Sequence, residues 1–109
     1  MSDVIPTAGR IVNYILTADD AIKINRRRTS AQSIFERISA GSWPVGAQAH
    51  IGNSVTEGDV YPMLIVRVWG DEPTSGVNGQ VFLDGNDAYW ATSVHEGVSP
   101  GQFSWPTRG

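Results

Sequence analysis

The chain has 109 residues, with eight Lys or Arg against eleven Asp or Glu, a formal net charge of −3 and no cysteine. A domain of this length buries roughly 65% of its unfolded surface, enough for a core without staples, and the missing cysteines exclude disulfides and thiolate metal sites. The acidic balance argues against binding DNA or RNA duplexes, which needs a basic surface, but leaves room for a small anionic ligand. Lys23 is the lone lysine among the basic residues, and arginine is the side chain suited to bidentate phosphate contact and to stacking on a base.

Residues 1–8 read as a flexible polar arm without the apolar stretch of a signal peptide. The longest apolar run, Met63 to Val68 around Arg67, is too short to span a bilayer. With no cysteine, these features point to a cytoplasmic protein and no membrane partner. Residues 9–16 (GRIVNYIL) are β-branched and aromatic, and predict a strand. Thr17 then opens a helix: it stands three residues before Asp20 in a variant of the capping box, with Asp19 and Asp20 in the first turn.

The spacing predicts one long helix over 18–40, a stretch free of Gly and Pro that ends at Gly41. Ala21, Ile24, Ala31, Ile34, Phe35 and Ile38 recur by threes and fours. In heptads, Ile24, Ala31 and Phe35 lie on an apolar seam suited to contact between two copies. Of Arg26, Arg27 and Arg28, consecutive positions about 100° apart, Arg28 falls in register with Ala21 and Phe35. It either snorkels out along the seam or pairs with an anion in a pocket or between subunits.

Beyond the Gly41–Pro44 break the pattern turns to strands. Residues 47–51 read as a short one, 60–69 as the strongest, with Pro62 marking an edge or a bulge. Residues 79–83 and 88–94 flank Asp84-Gly85-Asn86-Asp87, which reads as a hairpin turn. Phe103 and Trp105 pin a Gly- and Pro-rich tail. The predicted fold is therefore a single α+β domain over 1–109: the long helix packed with a twisted antiparallel sheet of about five to six strands within 46–106.

Enzyme signatures are absent. His50 and His95 are 45 residues apart without metal-ligand spacing, and Asp84 and Asp87 suit a tight turn, so no catalytic residue, metal or cofactor is assigned. Tyr61, Trp69, Phe82, Tyr89, Trp90, Phe103 and Trp105 crowd the second half. Most fill the core, yet alternation puts Tyr89 and Trp90 on opposite faces, so one leaves the core side and offers a stacking platform. The pairs Gly52-Asn53, Asn78-Gly79 and Gly85-Asn86 all read as turns.

The segments GRIVNY (9–14), INRRR (24–28), GDVYPM (58–63), VRVWGD (66–71), VNGQVFLDGND (77–87) and FSWP (103–106) resemble small proteins of tailed phages. The set is most similar to the first type of Thoeris anti-defence protein. That resemblance implies a sponge in the host bacterial cytoplasm. It would bind a cyclic ADP-ribose variant, or a related cyclic oligonucleotide signal, without cleaving it, as a homodimer or higher symmetric homo-oligomer. Within it, Arg28 would bind phosphate with Arg67 as a second candidate, Phe82 or Trp90 would stack on adenine, and Asn86 would bond ribose. Arg67 fits a cross-strand ion pair equally well. A virion or tail accessory module acting through protein contacts is the alternative, and a nucleotide-cleaving enzyme using His50 and His95 a third.

Overall fold

The computed structural model describes residues 3–27 and 52–107. Five strands and one helix follow in chain order: β1 (Ile11–Ile15), α1 (Ala18–Arg27), β2 (Val60–Val68), β3 (Val77–Phe82), β4 (Ala88–Glu96) and β5 (Gln102–Ser104). Each strand pairs with the next, and β5 returns to β1, so the sheet closes into a barrel. All pairings are antiparallel except β4 with β5, which run parallel.

The long helix on an open antiparallel sheet is thus overturned. The described helix has 10 residues, and the strands close on one another around a core that Ala21 and Ile24 of the helix join. The heptad pattern rested on positions from Arg28 to Ile38, and these lie outside the described residues, as does the strand read at 47–51. Closure leaves no sheet edge to cover, and a five-strand barrel is narrow enough for side chains alone to fill.

Alternation decides what fills it. Val12 and Tyr14 of β1, Met63 and Ile65 of β2, Val77 and Val81 of β3, Ala91 and Val94 of β4 and Phe103 of β5 all point inward and are buried. Leu16, Ala21, Ile24 and Val55 join them from outside the strands. Trp105 packs edge-on against Phe103 at 5.7 Å, which holds the tail as its aromatics suggested. Ile24 is fully buried in this core, so within one protomer it is spent on the barrel; its seam partners Ala31 and Phe35 lie outside the described residues.

The helix start is built as its sequence indicated. Asp20 N–H donates to Thr17 Oγ1 at 2.9 Å, and Thr17 N–H donates to Asp20 Oδ2 at 3.0 Å, so each residue satisfies the other's free backbone donor. Farther along α1, the Asn25 amide donates to the Val55 carbonyl at 2.7 Å and accepts the Val55 N–H at 2.8 Å, tying the helix to the segment that leads into β2. Among the described residues no helix is long and apolar enough to cross a membrane.

Candidate functional site

Two irregularities coincide opposite the same two residues of β3. Between β2 and β3 the register runs Ile65↔Gly79 then Arg67↔Asn78, which leaves Val66 as an extra residue in β2. Between β3 and β4 it runs Val77↔Val94 then Gly79↔Ala91, which puts an extra residue into β4 at Thr92–Ser93. Bulges on both neighbours of Asn78–Gly79 twist the strands locally and re-aim the side chains beyond them. The Asn78-Gly79 pair, read from sequence as a turn, lies inside a strand. A Cβ on Gly79 would stand 2.6 Å from the Leu64 carbonyl oxygen and 2.6 Å from Met63 Cγ, so glycine is what lets β2 and β3 approach here.

Asn78 holds the two bulged strands together. Its Oδ1 accepts the Trp69 indole N–H at 3.2 Å and the Ser93 backbone N–H at 2.9 Å. Ser93 sits in the left-handed region at φ 54°, a conformation that costs a residue with a Cβ about 1 kcal/mol. The Arg67 guanidinium lies over the Trp69 ring, 4.0 Å from its centroid. Arg67 is therefore placed in a cation–π stack.

Beyond the bulges, Trp69 just past the end of β2 and Ser93 and His95 from β4 border a cleft of about 350 Å³, completed by Thr74, Ser75 and Gly76 of the β2–β3 loop. The loop is tied at its neck by Trp69 N–H to the Gly76 carbonyl at 2.9 Å. Within it Ser75 N–H donates to the Glu72 carbonyl and Glu72 N–H to Ser75 Oγ, both at 3.0 Å. His95 Nδ1 lies 3.0 Å from the Thr74 carbonyl oxygen. A carbonyl only accepts, so Nδ1 carries a proton and Nε2 is the ring nitrogen left for another partner. A Cβ on Gly76 would come within 3.0 Å of the imidazole, so the ring rests against a bare backbone.

The residues singled out from sequence are divided between two ends of the barrel. Arg67 lies beside the cleft just described, against Trp69, and does not line it. Phe82 and Trp90 share the outer face of β3 and β4, 45% and 46% exposed, with Trp90 opposite Gln80 and Phe82 opposite Ala88. Tyr89 packs against the core and Trp90 leaves it, as alternation required. Asn86 is exposed in the turn beyond Phe82. Four steps along β3 lead from Asn78, which pairs with Arg67, to Phe82, about 13 Å of strand. Arg28 and His50 lie outside the described residues.

Sequence reasoning missed Trp69, Ser93 and His95 as neighbours. The available signal was Asn78-Gly79 itself, since a glycine inside an alternating apolar pattern also marks a bulge. A second polar cluster, around Asp20, serves the core. Asp20 is 7% exposed, and its carboxylate accepts the hydroxyls of Tyr14 at 2.5 Å and Tyr89 at 2.7 Å. Burial alone would raise its carboxyl, but the Thr17 N–H and the hydroxyls of Tyr14, Tyr89 and Thr17 outweigh that and hold it below the usual range. Arg27 meets Asp87 at 3.0 Å and donates to the Ala88 carbonyl at 2.8 Å on the same side of the barrel. Among the described residues no group of three or more His, Asp or Glu is placed to hold a metal ion.

No family model, curated protein or solved structure matches this chain.

Proposed function

We propose that this protein captures a cyclic nucleotide signal of the cyclic ADP-ribose class and holds it without cleaving it, as a phage anti-defence sponge acting in the host cytoplasm as a homo-oligomer. The observation that carries this reading is the Arg67–Trp69 stack at the cleft. It sets a fixed cation against one face of an aromatic ring, and a cation and an aromatic ring are the kinds of contact that a nucleotide's phosphate and base need. The cleft is at the small end of the range for ligand sites, so a second copy closing over it would add the enclosure that tight binding demands. Nanomolar capture corresponds to about 12 kcal/mol. Arg28 is the second phosphate cation in this reading.

The test mixes the protein with the cyclic ADP-ribose signal, removes free ligand, then heat-denatures the complex. Release of intact ligand is the expected result; release of cleaved product, or of nothing, rejects sequestration. One observation favours a contact module of the phage particle instead: Phe82 and Trp90 are exposed side by side on the barrel's outer face. Finding the protein in purified virions would support that second reading.

A further inference from the structure

We infer that the cleft between Trp69 and His95 seats the base of the ligand, a neutral planar heterocycle bearing an N–H donor, as adenine does, and not its phosphate. The assignment rests on the nucleotide reading above and narrows it to one end of the molecule.

Charge makes the first distinction. Trp69, Thr74, Ser75, Gly76, Ser93 and His95 border the cleft, with no Lys, Arg, Asp or Glu among them. The loop that supplies three of them also carries Asp71 and Glu72, both exposed. A phosphate placed there would find two carboxylates on the adjoining loop and no lysine or arginine among the lining residues. Arg67 lies over the indole but is not itself part of the lining. A neutral ring meets no such penalty.

Hydrogen-bond polarity makes the second. Because His95 commits Nδ1–H to the Thr74 carbonyl, Nε2 is the ring nitrogen left for a ligand, and unprotonated Nε2 accepts, which suits an amine or ring N–H and not a phosphate oxygen. Donation to a phosphate would require the other protonation state.

Fixity makes the third. The Trp69 indole is held by Arg67 against its ring and by Asn78 on its N–H, so it enters binding already oriented and loses little rotamer freedom. The strained Ser93 and the glycine floor at Gly76 both shape this space. Strain retained at a concave surface is a mark of a working site. A volume of about 350 Å³ suits one ring system better than a whole dinucleotide.

The experiment titrates the full chain with adenosine, inorganic phosphate and cyclic ADP-ribose, and follows the Trp69 indole N–H by NMR. Adenosine is expected to shift that resonance and to compete with cyclic ADP-ribose, while phosphate leaves it unmoved. His95→Phe, which keeps a ring but removes the acceptor, is expected to weaken adenosine at least tenfold. Gly76→Ala, which presses a methyl against the imidazole, should do the same if His95→Phe does not fold. Cyclic ADP-ribose binding without adenosine competition or His95 dependence overturns the base assignment and leaves sequestration standing. Adenosine binding without cyclic ADP-ribose binding does the reverse. A phosphate-induced shift of Trp69, or no adenosine binding at all, also overturns the assignment.

Discussion

Tyr89 on β4 donates its hydroxyl to Asp20 in the first turn of α1 at 2.7 Å, joining residues 69 positions apart. Tyr14 on β1 donates to the same carboxylate. One buried acid therefore caps the helix and ties it to two strands. Asp20→Ala removes a capping interaction and leaves two tyrosine hydroxyls without their acceptor. The expected loss is roughly 3 kcal/mol, read by urea denaturation. A loss under about 1 kcal/mol would mean that solvent replaces these bonds.

The same cluster gives stability two pH limits. Asp20 has its carboxyl lowered in the folded state, so its contribution is present above the ordinary carboxylate range and fades as pH falls through the lower folded value. Tyr89 behaves in the opposite sense: burial, then the Asp20 hydrogen bond, push it up to about 12. Its contribution is complete below about pH 10, the ordinary tyrosine value, and is lost as pH rises through the folded one. Tyr14 is raised in the same direction by burial and by Asp20. Tyr89→Phe should flatten part of the alkaline limb in pH-dependent thermal melts and leave the acid limb in place.

Ser93 is the position where stability and binding should part. Ser93→Gly relieves the left-handed strain at φ 54° and should stabilise the protein by about 1 kcal/mol. It also removes a hydroxyl from the cleft, so ligand affinity should fall while the melting temperature rises. Both moving in one direction would remove Ser93 from the site.

Gly79→Ala should be costly despite adding one methyl. The new Cβ meets a backbone carbonyl, which cannot turn away as a side chain can. A loss of about 2–3 kcal/mol is expected by chemical denaturation, with the β2–β3 amides losing hydrogen-exchange protection first.

Arg67→Lys separates charge from stacking. Lysine keeps the positive charge but lacks the planar group that covers the Trp69 ring. Both Arg67→Lys and Arg67→Ala should weaken cyclic ADP-ribose, and the alanine change more, by about 1–2 kcal/mol in calorimetry. Equal affinities for wild type and both variants would detach Arg67 from binding.

What the sequence determined by itself was local. Thr17 and Asp20 announce the start of α1 because a capping pair needs only four residues of context. The strands around Val60–Val68 and Ala88–Glu96 were legible because alternation is a property of adjacent residues. That one of Tyr89 and Trp90 leaves the core followed from the same period, and the barrel decides that it is Trp90.

Tertiary structure decided the rest. Whether five strands stay open or close depends on β5 reaching β1, and no local pattern reports a pairing between Tyr14 and Phe103. Asn78-Gly79 has turn composition, yet pairing on both sides makes it the centre of two bulges. Those bulges in turn bring Trp69 and His95, 26 positions apart, to one cleft. Register is set by the whole barrel, because each strand must satisfy two neighbours at once. A site made by register therefore cannot be read from the spacing of its residues.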